Sequence, residues 1–379
     1  MMAIGTCFPL GMYELPRNEE EWAHWKSAGI NLLPCASRED LDSVHRHGMK
    51  GWVSLPMVLR EDDDGAALRA AVSALKDHPA LYVWEAPDEI IWNTNRRVTG
   101  VLASFWWDQP ERMRKELAQE YDALVRGLER GSAIVRSLDP GRPIWLNEAA
   151  RSDMEIVSRC LPFLDIISTD FYPVLPQTPD PRRARIRTHD MIALLCDRFR
   201  ATAPDHEFWF VQQAFSWHRL ERKRHPDVPI AYPTRCDYRF MAWQAIAHGA
   251  RGLLWYGSAH EDRPAPFLDD LMAVVRELSE LSPFLLSEHA PVLEVRVDTK
   301  QYPPTRGVSC FMREFGGRTF LALVNEDPYE NDVLVTGVPG EEITGWTAFG
   351  DSERPHVPID NGFVVPLSGR EVRLMMSAA

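Results

Sequence analysis

The feature that most constrains this chain is an alternation. Short apolar runs and longer amphipathic stretches follow one another eight times within the first 286 residues. The runs "AIGTCF" (3–8), "INLLPC" (30–35), "MKGWVSLP" (49–56), "ALYVWEAPDE" (80–89), "RPIWLNEA" (142–149), "LDIISTDFYPV" (164–174), "EFWFVQQAFSW" (207–217) and "RGLLWYGSA" (251–259) read as strands. Helical patterns separate them. One begins at "NEEEWAHWKSAG" and stops at Gly29; another has Ser37 with Asp40 as its start signal and Gly48 as its stop. Further helices are predicted in "GAALRAAVSALKDHP", in a long stretch to about Leu138, and around 152–163, 186–203, 236–249 and 267–286. Eight strand–helix pairs are what a closed (β/α)8 barrel requires. A doubly wound open sheet is the rival, but no glycine-rich dinucleotide loop follows the first strand.

From about Ala290 the rhythm changes to short strands separated by turns, from "VLEVRVDTK" to "REVRLMMS", with no helical pattern. The expected fold is therefore α/β: a TIM barrel over 1–288 followed by a small antiparallel β-sandwich over 289–379. The sandwich reads as a packing module, with carbohydrate binding as its other role.

Composition narrows the function. A net charge of −13 argues against nucleic acid, which needs clustered Lys and Arg. The basic stretch "PDPRRARIR" (179–187) reads as a loop or helix start. No apolar run is long enough for a membrane span. The amino terminus lacks a basic n-region and a long apolar h-region, so the expectation is a cytoplasmic protein or one whose leader was removed. The six cysteines are scattered without close pairs, as reduced thiols would be rather than a disulfide framework or zinc site. Thirteen tryptophans are an excess, divided between buried packing and ligand platforms.

Catalytic groups of a TIM barrel lie at the carboxyl ends of its strands. There this sequence places Trp52 and Ser54 (third strand), Asp88 and Glu89 (fourth), Asn147 and Glu148 (fifth), and Asp170 and Tyr172 (sixth). Gln212, Gln213 and Trp217 follow from the seventh, and Trp255, Tyr256, His260, Glu261 and Asp262 from the eighth. Amides and acids hydrogen-bond hydroxyls, and flat rings stack on pyranose faces, so a carbohydrate partner is expected. Glycoside hydrolysis needs a protonated carboxyl for the leaving oxygen and a second carboxylate as nucleophile or base. Burial beside a ring such as Trp84 would raise the acid's pKa. The first strand has no His-x-His pair, no glycine-rich phosphate grip follows the last two, and no GxSxG elbow occurs. No metal and no cofactor are expected.

Individual residues also have structural readings. Asp88 either orients Glu89 or caps the following loop. Glu85 reads as a structural salt-bridge partner or as pointing into the barrel, Glu148 as paired with an Arg, and Trp217, Trp255 and Tyr256 as rim packing or sugar platforms. Glu261 and Asp262 read as solvated unless their loop folds over the mouth. His24, His45, His47 and His248 fall in helices, with surface or packing roles.

"HPALYVWEAPDE", "DIISTDFYPV" and "AWQAIAHGARGLLWYGS" together resemble the clan A glycoside hydrolases, a (β/α)8 superfamily that includes β-galactosidases and cellulases. The resemblance covers about 1–286. It implies Glu89 as general acid/base, with Asp88 where the family usually has Asn. The family's nucleophile is a Glu ending the seventh strand, where this chain has "FVQQAF", so Gln212 or Gln213 occupies that position. An amide cannot form a glycosyl ester. The second carboxylate would then be Asp170 or Glu148, with substrate contacts from Asp88, Asn147, Tyr172, Gln212, Gln213, Trp217, Trp52, Trp255 and Tyr256. A glycan-binding barrel without catalysis and a different sugar chemistry are the alternatives. The insertion 90–109, with Trp92, Trp106 and Trp107, and the loop 218–235 are expected to wall the cleft.

Overall fold

The computed structural model describes residues 7–100, 111–175, 188–220, 230–290, 293–298, 306–337, 345–349 and 356–378. Among them, eight parallel strands close in sequence order into a barrel: β1 (Leu10–Met12), β2 (Leu32–Pro34), β3 (Lys50–Ser54), β4 (Leu81–Glu85), β5 (Ile144–Ala149), β6 (Ile166–Asp170), β7 (Glu207–Gln213) and β8 (Gly252–Tyr256). The barrel closes through β1 on β8, with Gly11 opposite Leu254. The first strand lies later than the expected 3–8, of which 3–6 fall outside the described residues. Its register is set by β8, whose Leu253 N–H donates to Pro9 O at 3.0 Å.

The helices are capped as their sequence chemistry requires. Asn18 accepts from Glu21 N at the start of helix Glu19–Ala28, and Gly29 ends that helix at φ 111°. Ser37 and Asp40 form a reciprocal capping box at helix Arg38–Arg46, and Thr234 with Asp237 does the same at helix Arg235–Ala247.

Strand alternation divides the core into two. Inside the barrel lie Leu32, Trp52, Val83, Trp145, Ile166, Trp209, Val211 and Leu254. Trp145 packs against Trp52 at 5.6 Å and Trp209 at 5.1 Å between ring centroids, giving the barrel an aromatic floor. The larger cluster lies between strands and helices and continues into the second domain through Phe311, Phe320, Val324, Leu374 and Met376.

The long helix Glu111–Leu138 shows how closely the layers approach. A Cβ on Gly131 would come within 1.9 Å of the Met57 carbonyl oxygen, so only glycine admits the segment that follows β3. Gly131→Ala should destabilise the fold by about 1–3 kcal/mol, the usual cost of overpacking, read as a lower midpoint in urea with an unchanged slope.

The remaining strands form two four-stranded antiparallel sheets. One has the order β10 (Val308–Phe315), β11 (Arg318–Asn325), β16 (Val372–Met376), β13 (Thr347–Ala348). The other runs β14 (Val357–Ile359), β15 (Gly362–Leu367), β12 (Asn331–Thr336), β9 (Glu294–Asp298). This β-sandwich packs on the barrel: Phe320 meets Trp243 and Phe284 at 5.5 Å each, and Arg239 donates to Val372 O at 2.7 Å. His248 has its packing role here, hydrogen-bonding Asp197 and Glu326 at 2.6 Å. All six cysteines are free, and among the described residues no helix is long and apolar enough to cross a membrane.

Candidate active site

The fourth strand delivers its acids by two devices. On β4, Val83 faces the interior and Trp84 the helices, so Glu85 turns inward again. Pro87 then ends the strand, and Glu89 adopts φ 50°, ψ 42°, the left-handed region. For a non-glycine residue this costs on the order of 1–3 kcal/mol. The bond from Glu89 N to Asn147 O, 3.0 Å, holds it there at the start of helix Ile90–Thr99.

Asp88 is oriented from below. Trp145 Nε1 donates to Ser168 Oγ at 2.7 Å, Ser168 Oγ to Asn147 Oδ1 at 2.8 Å, and Asn147 Nδ2 to Asp88 Oδ1 at 3.0 Å. The relay begins in the aromatic floor and ends at the mouth, fixing which face of the Asn147 amide meets the acid.

Four carboxyl groups gather above that floor: Glu85, Asp88, Glu89 and Asp170. The Glu89 carboxyl lies within hydrogen-bonding reach of that of Asp170. Burial and the nearby Asp88 charge push Glu89 up to about 7, against the pull of Arg96 and the Asp170 contact. Asp170 is held well above the usual carboxylate range by burial and by the charges of Glu89 and Asp88. Burial and Asp88 also push Glu85 up to about 8, although Trp52 and Ser54 lie within hydrogen-bonding reach. Asp88 is raised by burial, with Asn147 opposing. Desolvation and mutual repulsion therefore raise all four carboxyls, so together they carry fewer charges near neutral pH than four free acids would.

That proton retention has a stability consequence. An unfolded glutamate loses its proton near ~4.3, whereas Glu85 keeps it to about 8. Between those values the folded state binds more protons, so stability falls as pH rises. Glu85→Gln removes the penalty. Its melting temperature, relative to wild type, should rise from pH 5 to pH 9; an equal difference at both would disprove the buried, proton-retaining Glu85.

Aromatic rings wall the site. Tyr172 stacks on Tyr256 at 5.7 Å, and Trp217 lies 6.2 Å from Tyr172, to whose carbonyl it donates at 3.2 Å. Tyr13 from the end of β1 packs edge-on to Trp52 at 5.2 Å and Tyr256 at 5.7 Å. Among the described residues its buried hydroxyl has no hydrogen-bond partner, and burial with the Glu85, Asp88, Asp170 and Glu89 charges raises its pKa. Sequence reasoning missed Tyr13 because the first strand was placed too early. Gly257 shapes the same wall: at φ 105°, a Cβ there would meet the Phe215 ring at 2.3 Å.

Several expected site residues lie elsewhere. Glu148 faces the helix layer, fully buried, accepting from Ile91 N at 2.7 Å, Ser152 Oγ at 2.5 Å and Trp92 N at 3.4 Å. It holds the amino end of helix Ile90–Thr99 instead of pairing with an Arg, and burial pushes it up to about 8. Gln212 and Trp255 are also fully buried on the outward side of their strands, away from the mouth. Trp84 is outward too, donating to Asp139 at 3.0 Å, so it is not the ring that raises the acid's pKa. Trp52 lies in the floor, 2% exposed.

Gln213 is the strand-seven amide that turns inward. It accepts from Val174 N and donates to Val174 O and Phe215 O, all at 2.9 Å, clamping the loops after β6 and β7. Glu85 makes no described salt bridge, contrary to expectation. Glu261 is buried rather than solvated, accepting from Ser216 N and Tyr232 OH at 2.8 Å, while Asp262 is exposed and pairs with Arg219. Of the proposed cleft walls, 90–99 is helix; Trp106, Trp107, residues 221–229 and the basic stretch 179–187 lie outside the described residues. Among the described residues no group of three or more His, Cys, Asp or Glu side chains is arranged to hold a metal ion.

Solved structures with this architecture place the fold. The chain is similar to a catalytic mutant of a GH42 beta-galactosidase from G. stearothermophilus, with TM-score 0.63 and 10% identity over 99% of both chains. It is similar to a glycoside hydrolase family 5 structure from Bacteroides vulgatus, with TM-score 0.53 and 12% identity over 98% of this chain and 89% of that one. Against the beta-galactosidase from the psychrophilic Marinomonas ef1 the TM-score is 0.49 at 16% identity, over 74% of this chain; there the chain spans only 62% of the other's length. No family model and no curated protein matches the sequence. The fold shared with these structures is the closed (β/α)8 barrel. Within that class, its likeness to the GH42 structure extends through the trailing β domain.

Proposed function

We propose that this chain is a glycoside hydrolase acting on an oligosaccharide or glycoside bound at the carboxyl end of the barrel, with Glu89 as proton donor. The observation that carries the reading is Glu89 itself: a carboxyl raised to about 7, on left-handed backbone, at the end of β4. A group that keeps its proton near neutrality can give it to a leaving oxygen. Tyr172, Tyr256 and Trp217 offer the rings on which a sugar face stacks, and Asp88 and Asn147 offer hydroxyl partners.

Asp170 is the second carboxylate of this mechanism, since Glu148 faces the helices. Inversion needs the two carboxyls roughly 6.5–9.5 Å apart, with water on the far face of the sugar. In this reading an entering glycoside parts Glu89 from Asp170. Where the Glu89–Asp170 pair holds a single proton on Glu89, Glu89 protonates the leaving oxygen while the ionised Asp170 takes a proton from the water that attacks the anomeric carbon. A barrel that binds glycans without cleaving them is the second reading, favoured by Gln213, whose amide is fully engaged by backbone where the resembled family carries its nucleophile.

A panel of aryl and oligosaccharide glycosides tests the choice, with turnover and calorimetric binding measured on the same wild-type protein. Release of reducing sugar supports hydrolysis. Saturable binding without turnover would replace it with the glycan-binding reading.

A further inference from the structure

We infer that the ligand of this mouth carries a positive charge, and that the sugar it selects is an amino sugar presenting a protonated amine to the Glu85–Asp88–Glu89–Asp170 cluster. The inference rests on the carbohydrate reading of the site and names the class of sugar.

The first observation is buried acid without a described counter-charge. Among the described residues none of the four acids makes a salt bridge, although surface carboxylates elsewhere in the chain pair freely with Arg and His. The cation bearing on Glu89 is Arg96, on the exposed side of the following helix. Buried carboxylates are normally paired or protonated, because desolvation of a lone charge is costly.

The second observation is independent of the cluster's charge. Glu85 is 95% buried, yet among the described residues its Oε1 has no hydrogen-bond partner, and neither has the buried Tyr13 hydroxyl above the floor. Unpartnered polar atoms of this kind are rare in finished interiors and mark the place of a missing donor. An ammonium group supplies three donors and one positive charge.

The third is the wall. Tyr172 and Tyr256 stack on each other, and Tyr13 meets Tyr256 edge-on, so aromatic surface and carboxylates share one opening. Rings accept both a pyranose face and a cation. A neutral sugar would use the rings but bring no counter-charge to the buried acids.

Calorimetric titrations of the intact protein at pH 7 test this with matched probes. Methyl glucosaminide is compared with methyl glucoside, and methyl galactosaminide with methyl galactoside, on wild type, Glu85→Gln and Asp88→Asn. The expected result is that at least one amino sugar binds tenfold or more tighter than its hydroxyl counterpart, with the preference reduced in both variants. Asp88→Asn lies on the loop and reports even if Glu85→Gln does not fold. Equal or tighter binding of the neutral sugars, no binding of any probe, or a preference unchanged in every folded variant overturns the inference. Its failure is separable from that of the hydrolase reading. Amino-sugar preference without turnover of any glycoside removes only hydrolysis, and turnover of neutral glycosides without preference removes only the amino sugar.

Discussion

Glu89→Gln should lower turnover by roughly 10²–10⁴-fold, the range of a lost general acid, while leaving the glycoside's KM within a few-fold of wild type. The amide keeps the shape and polarity of the side chain but cannot give up a proton to a departing oxygen. The same assignment fixes a pH profile. Because Glu89 must be protonated and is raised to about 7, kcat/KM should fall tenfold per pH unit above that value. Burial and the Asp88 charge are what raise it, so Asp88→Asn should move the alkaline limb toward acid pH. Initial rates from pH 5 to 9 on the best substrate of the panel measure both. Activity that survives Glu89→Gln, or a limb that ignores Asp88→Asn, would remove Glu89 from the role.

Asp170→Asn should cost about 10²-fold or more in kcat, with little change in KM, since an amide cannot take the proton of an attacking water. The anomer released by wild type, read by proton NMR before mutarotation, should be inverted. A retained configuration would make the second carboxylate a nucleophile standing roughly 5–5.5 Å from the acid. An Asp170→Asn protein with near wild-type rates would pass that role elsewhere, to Glu85 or Asp88, the remaining carboxyls of the cluster.

Much of the site was legible because strand ends leave marks in composition. Asp88, Glu89, Asp170 and Tyr172 interrupt apolar runs at Pro-containing turns, and the structure brings all four to one mouth. Three site readings miss by one residue. Glu148, Gln212 and Trp255 stand next to inward or mouth-facing positions, and in a strand adjacent side chains point to opposite faces. A fully buried parallel strand is apolar on both sides, so its sequence carries no alternation to say which side is inside. Tyr13 was lost for a related reason, because a three-residue strand offers too little pattern to place.

The sequence by itself determined the barrel and its trailing sheets, through eight repeats of strand and helix and a change to turn-separated strands near residue 290. Local chemistry sufficed there: capping residues, turn residues and apolar periodicity act within a few positions of one another. Only the tertiary structure decided that Glu148 serves a helix while Glu85 joins the acids, that Gln213 clamps two loops, and that Glu89 and Asp170 meet. Those outcomes depend on strand register around a closed sheet. Register brings residues 81 positions apart into contact, and no local pattern encodes which of two neighbouring side chains will face the axis.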